Sequence, residues 1–136
     1  MHPPNVPKDL RAEFRLPSGP TGAGFLTVQL GDLRIVAEYS PAKVELLRVL
    51  NQALLEDADL PPLTRGWRSP EQLADQLSYP PTAGGVRRTV TQINRLFAKA
   101  AARVAPHLEL PRLVATQRQI GIRLSWLIAF EPPTSS

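Results

Sequence analysis

Between Val86 and Val104 the chain carries two stripes of opposite character. Val86, Val90, Ile93, Phe97, Ala100 and Val104 recur at intervals of three and four, the repeat that lines side chains along one face of an α-helix. Arg88, Gln92, Arg95, Lys99 and Arg103 keep the same intervals on a second face, widened by Arg87, Thr91 and Asn94. The spacing predicts a helix from near Gly85 or Val86 to about Val104, with its aliphatic side in a core and its basic side outward. No carboxylate interrupts the basic side. A merely solvated face would interleave glutamates one turn from its arginines to form pairs. Their absence points to a polyanionic partner.

The charge is distributed to match. The net charge is +4, but residues 82–123 hold eight basic side chains against one acid, Glu109, while residues 25–81 hold eight acids against five bases. Such a dipolar chain steers its basic end toward a polyanion. With 136 residues and no cysteine, it is long enough for one domain without disulfides or thiolate metal sites. No apolar run approaches the ~18 residues of a membrane helix, and no secretory apolar core opens the chain, so a cytoplasmic protein without membrane contact is expected.

Ahead of the basic helix, residues 1–24 are rich in proline and glycine and read as a disordered N-terminal segment, with Phe14 and Leu16 as a possible short edge strand. Phe25–Leu30 and Leu33–Ala37 are strand-like runs joined by Gly31-Asp32, an acceptable two-residue hairpin turn. Ser40-Pro41 opens a first helix, its serine placed to accept from an early backbone N–H; Val44, Leu47, Leu50 and Leu54, broadened by Leu46, Val49 and Leu55, carry it to about Glu56. Ser69-Pro70-Glu71-Gln72 opens a second, about nine residues long, with Gln72 at capping-box spacing and Tyr79-Pro80-Pro81 as its stop. Trp67 precedes that cap and is expected to pack on the core. Thr82–Gly85 reads as a turn before the third helix. Leu113–Thr116 and Ile120–Leu127 then form a hairpin around Gln117-Arg118-Gln119, and residues 129–136 read as a flexible tail. The fold class is α+β: an N-terminal hairpin or small sheet, three helices and a C-terminal hairpin, in one domain over residues 25–128.

This order of elements resembles the winged helix-turn-helix of the OmpR/PhoB-type response-regulator effector domains. Ile93-Asn94-Arg95-Leu96-Phe97-Ala98-Lys99 is similar to the family's third-helix pattern Ile-Ser-Arg-Leu-Arg-Lys-Lys. Val114-Ala115-Thr116-Gln117-Arg118-Gln119-Ile120-Gly121-Ile122-Arg123-Leu124 is similar to its wing, Ile-Arg-Thr-Val-Arg-Gly-Val-Gly-Tyr-Arg-Leu, with Thr116, Arg118, Gly121, Arg123 and Leu124 in matching places. The segment ending at Leu73 is similar to the opening of the family's second helix. The likeness spans about residues 25–127. It departs at Gln119 and Ile122, where the family has glycine and tyrosine, and at Phe97, where it has arginine. These residues leave no room for a receiver domain with a phosphorylatable aspartate.

The resemblance, together with the charge, implies binding to double-stranded DNA. Arg87, Thr91, Asn94 and Arg95 would approach base edges in the major groove, Arg88, Lys99 and Arg103 would contact phosphates, and Arg118 at the hairpin tip would enter the minor groove. Arg123 is either a wing contact or an outward strand residue touching water or a phosphate. Main-chain amides after Gly84-Gly85 could also hold a phosphate. Winged helices also serve as protein-binding adaptor modules in bacterial signalling and defence systems. For that alternative the acidic cluster Glu56-Asp57-Asp59 and Trp67-Arg68 are candidate contacts. Catalysis is not expected: His2 and His107 sit in a tail and a proline-flanked loop, and Asp57 with Asp59 lacks further metal ligands nearby. No cofactor is implied. A dimer is compatible with the fold, but no heptad pattern decides the oligomeric state.

Overall fold

Alternating small apolar and polar residues build the first layer. In the computed structural model, which describes residues 10–15, 24–77, 82–107 and 110–130, β1 (Leu10–Arg15), β2 (Gly24–Leu30) and β3 (Leu33–Tyr39) form an antiparallel meander. Ala12, Leu26, Val28, Ile35, Ala37 and Tyr39 are buried on one face, while Arg11, Glu13, Phe25, Gln29, Arg34, Val36 and Glu38 are exposed on the other. Gly31 takes φ +57° at the β2–β3 turn, as the Gly-Asp pair requires.

The strand β1 is a correction to the boundaries read from sequence. Leu10–Arg15 pairs along its whole length with Phe25–Leu30, and on its other side runs parallel to β6 (Ala129–Phe130). The sheet order is β3-β2-β1-β6, so β1 is interior rather than an edge, and ordered backbone extends beyond 25–128 at both ends. Proline and glycine averaged over 24 residues hid a six-residue run free of both. The run is held by pairing on both sides, with Ala12 buried. Leu16, expected beside Phe14, lies outside the described residues.

Helix α1 (Pro41–Glu56) starts where Ser40-Pro41 predicts. The serine contributes its carbonyl, which accepts from Val44 N at 3.0 Å; its hydroxyl makes no cap bond and accepts from Lys43 Nζ at 3.3 Å instead. Val44, Leu46, Leu47, Leu50 and Ala53 are buried, but Leu55 is exposed. After a single 3-10 turn at Pro62–Thr64, α2 (Pro70–Gln76) carries the full capping box: Ser69 Oγ accepts from Gln72 N at 3.1 Å, and Gln72 Oε1 accepts from Ser69 N at 2.9 Å. It is seven residues long, shorter than expected, and the Tyr79-Pro80-Pro81 stop falls outside the described residues.

Helix α3 (Ala83–Val104) begins earlier than its apolar repeat suggests. Thr82 Oγ1 accepts from Gly85 N at 3.1 Å, which draws Ala83, Gly84 and Gly85 into the first turn rather than leaving a loop. Val86, Val90, Ile93, Phe97 and Ala100 are buried as the stripe predicts; Val104, at the end, is exposed. The helix rests on β3, where the fully buried Tyr39 hydroxyl donates to Ile93 O at 3.0 Å. Burial pushes that hydroxyl's pKa far above the ordinary phenol value, so it remains a donor.

The second sheet is the hairpin β4 (Val114–Gln117) and β5 (Gly121–Leu124). It is shorter than expected: its loop is Arg118-Gln119-Ile120, and the chain leaves β5 at Leu124 rather than continuing to Leu127. Gln119 stands at φ +71°, the conformation for which the similar wing uses glycine. Trp126 is buried instead of Trp67, its ring 5.9 Å from that of Phe97. Asn51, a buried polar residue on α1, accepts from Ile128 N at 2.9 Å and steers the chain back to β6. The architecture is α+β, three helices held between two small sheets.

Gly121 is the tightest point. At φ +137°, a Cβ there would stand 2.5 Å from Arg68 O and 2.9 Å from Arg68 C, both backbone atoms that cannot swing aside. Gly121→Ala should therefore cost about 2–4 kcal/mol in urea unfolding. Gly31→Ala, strained in φ but with open space around it, should cost about 1 kcal/mol. Equal losses at the two positions would contradict this placement of the hairpin.

Candidate functional site

The outward face of α3, the start of α2 and the β4–β5 hairpin enclose an open groove of about 1020 Å³. Arg87 and Arg95 come from α3, Arg112 from the strand-less segment before β4, and Arg118 from the hairpin tip. Thr91 lies between the helical arginines and Ala98 one turn beyond Arg95, and Ile120 adds an exposed apolar side chain near Arg118. One carboxylate, Glu71, lines the same groove. It approaches Arg87 to 3.9 Å, but both side chains are well over half exposed, so the pair contributes little.

The nine residues expected to act together divide into three groups. Arg87, Thr91, Arg95 and Arg118 line the groove and are exposed. Arg88, Lys99 and Arg103 are exposed on α3 but lie outside the groove lining, on its flank. Among the described residues, Arg88, Arg95, Lys99, Arg103, Arg112 and Arg118 form no ion pair.

Asn94, which also lines the groove, and Arg123 form the third group, whose polar atoms are bonded within the fold. Asn94 donates from Nδ2 to Val114 O and accepts from Val114 N at Oδ1, both at 2.9 Å. Its two-point amide, suited in principle to adenine, is spent locking β4 against α3. Arg123 turns away from the groove. Its Nη1 donates to Pro62 O at 3.0 Å and Arg65 O at 3.3 Å, and its guanidinium lies 4.6 Å from the centre of the Trp67 ring. Desolvation lowers its pKa from the usual guanidinium value, as suits a cation half withdrawn from water. Asn94 still lines the groove, with its amide engaged by Val114, whereas Arg123 lies outside the lining.

The same network accounts for the acidic cluster. Arg68 N donates to Ile122 O at 3.0 Å and Ile122 N donates to Arg68 O at 2.8 Å, an isolated bridge that seats β5 on the α1–α2 connection. The Arg68 side chain meets Asp57, with Nη1 2.8 Å from Oδ2 and Nη2 3.3 Å from Oδ1, and Gly66 N donates to the same Oδ2 at 2.8 Å. Those donors hold the Asp57 carboxyl below the ordinary carboxylate range, the Arg68 hydrogen bond first. Trp67 Nε1 donates to Leu63 O at 3.0 Å. Of the contacts expected for a protein partner, Asp57, Trp67 and Arg68 are thus engaged with the domain itself. Glu56 and Asp59 remain exposed.

The expected phosphate site after Gly84-Gly85 is displaced as well, because the helix begins at Ala83 and Gly85 N is taken by Thr82. Arg112 is the groove residue that periodicity missed. It belongs to no helix or strand, and only its place in the basic segment marked it. Among the described residues no three His, Cys, Asp or Glu side chains gather as a metal site, and no helix is long and apolar enough to cross a membrane. Comparison with family models, curated proteins and solved structures found no match for this chain.

The Asp57 clamp has a pH signature. A carboxylate whose pKa is lowered on folding adds stability above its unfolded value, about 3.9, and loses it as pH falls through the folded value. Asp57→Asn should lower the urea midpoint throughout pH 5–8 and approach wild type as the pH drops below ~4. A gap that stays constant to the lowest pH would remove the carboxylate from this role.

Proposed function

We propose that this chain is a winged helix-turn-helix DNA-binding domain. Helix α3 acts as the recognition helix, and the β4–β5 hairpin is the wing. The observation that carries the reading is the convergence of Arg87, Arg95, Arg112 and Arg118, from three separate parts of the chain, on one groove with a single opposing carboxylate. The strand-like bridge between α1 and α2, which pairs with the hairpin, supports the same architecture.

In this reading α3 lies in the major groove. Arg87 and Arg95 face base edges, where a guanidinium fork matches guanine O6 and N7 together. Thr91 sits between them. Arg88, Lys99 and Arg103 follow the phosphates along the flank of the helix, and Arg112 takes a phosphate at the groove's far side. Arg118 reaches the minor groove, with Ile120 against deoxyribose. Asn94 braces the wing against α3, and Arg123 braces it against the α1–α2 connection. The protein-adaptor alternative has less support, because Asp57 and Arg68 pair with each other and Trp67 is engaged by Leu63 and Arg123 within the fold.

The test is a titration of a random-sequence duplex followed by fluorescence anisotropy across a salt series. With about five phosphates neutralised, the log–log slope of affinity against salt should be roughly −4 to −5. Arg103→Ala should weaken all duplexes alike and make the slope shallower by ~1, whereas Arg95→Ala should weaken binding ~10-fold or more and alter sequence preference. A slope shallower than about −2, or loss of binding no greater for Arg95→Ala than for Arg11→Ala on the other sheet, would overturn the assignment.

A further inference from the structure

β3 closes one side of the four-stranded sheet. At the two-residue turn, Leu30 and Leu33 close the hairpin by exchanging hydrogen bonds, and the exchange recurs at Val28–Ile35, Leu26–Ala37 and Gly24–Tyr39. The backbone groups of Leu33, Ile35, Ala37 and Tyr39 therefore point toward β2. Those of Arg34, Val36 and Glu38 point off the edge. All three residues are exposed, Val36 at 46%, and among the described residues nothing pairs with their backbone.

Sheet edges are ordinarily blunted by proline, by a bulge, or by charges that repel a second strand. Leu33–Tyr39 contains neither proline nor glycine, and its ladder to β2 is unbroken. Its two charges are of opposite sign and stand symmetrically about Val36, both on the outward face. Neither forms an ion pair among the described residues.

We propose that β3 is a self-recognition edge. Two copies of the chain pair antiparallel about a two-fold axis through Val36, with Arg34 of each opposite Glu38 of the other. In that register Val36 exchanges both backbone hydrogen bonds with its symmetry mate, and Arg34 does so with Glu38 on either side. All the outward-pointing groups of the edge are satisfied. The two valines meet at the centre, flanked by two ion pairs on the same face.

Charge selects this register over its neighbours. An axis at Ile35 sets Glu38 opposite Asp32, and an axis at Ala37 sets Val36 opposite Glu38. Axes at Arg34 or Glu38 stack like charges on each other. Such an interface is isologous, so it closes at two copies. It is also small beside the ~1,600 Å² of a standard interface, so association is weak and concentration-dependent. The proposal stands apart from the DNA reading, since it uses the opposite side of the sheet and none of the groove residues.

The test is sedimentation velocity on the full chain from ~10 μM to ~1 mM, where small interfaces associate. Wild type should shift from monomer toward dimer across that range. Arg34→Glu and Glu38→Arg should each weaken self-association ~10-fold or more, because each puts like charges face to face. Mixed in equal amounts, the two variants should dimerise again, the two carboxylates of one meeting the two guanidiniums of the other. The double swap Arg34→Glu/Glu38→Arg should restore the homodimer. Positions 34 and 38 are about 13 Å apart along one strand, too far to pair within a chain, so rescue reports contact between chains. A wild type monomeric at ~1 mM, single variants that dimerise as before, or a mixture that stays monomeric would each overturn the proposal.

Discussion

Arg68 makes the rest of the arrangement possible. Its backbone forms both hydrogen bonds of the bridge to Ile122, and its side chain is gripped by Asp57 at the end of α1. One residue thereby ties the first helix, the irregular α1–α2 connection and the C-terminal hairpin together. The ion pair is largely shielded, with side-chain exposures of 19% and 17%, so water competes with it less than at an open surface. Gly121 lets the hairpin approach this point so closely. Any side chain there would displace the bridge, and the groove beside α3 would lose its far wall.

That constraint sorts the basic residues into two kinds. Arg68 and Arg123 lie close to acids, carbonyls or an aromatic face, and they act as structural cations. Arg95, Arg112 and Arg118 share the groove without such partners among the described residues. Unpaired guanidiniums repel one another, and their mutual repulsion lowers the stability of the free domain. A fold that keeps them together while clamping two others elsewhere retains a charge distribution suited to the anionic partner proposed above. Asn94 follows the logic of the clamped set. Its amide satisfies Val114 on both sides, because a strand end facing a helix would otherwise leave backbone groups unpaired.

Periodicity and capping made the helices legible. The Ser69–Gln72 box, the Pro41 start and the Val86–Ala100 stripe all stand in the structure at their expected positions, because each is a local rule satisfied within a few residues. What stayed hidden depends on distant partners. β1 takes its order from pairing with β2 and β6, and the apolar–polar alternation of Leu10–Arg15 is too short, set among prolines and glycines, to fix its partners alone. Thr82 pulled the start of α3 back over two glycines that otherwise argue for a turn. Asn94 and Arg123 sit in a basic, polar pattern that looks like a ligand-facing surface. Only the tertiary placement of Val114, Pro62 and Arg65 reveals that their hydrogen bonds are already made. Spacing along a helix says which face a residue occupies, and the rest of the chain decides what that face meets.

The two faces of the domain are mechanically joined. Tyr39 ends the strand whose outer edge is open, and its hydroxyl reaches across the core to the carbonyl of Ile93 in the middle of α3. The contact is fully buried and crosses between a sheet and a helix, so a shift of β3 must carry α3 with it. Whatever binds along that edge therefore acts on a body rigidly connected to the basic groove. A two-fold axis through Val36 would turn one groove into two of fixed relation. For a reader of DNA, that relation sets the separation of half-sites rather than the affinity of either one. With the edge and the groove on opposite sides of one strand–helix unit, the proposed association would set spacing without disturbing the residues proposed to make contact.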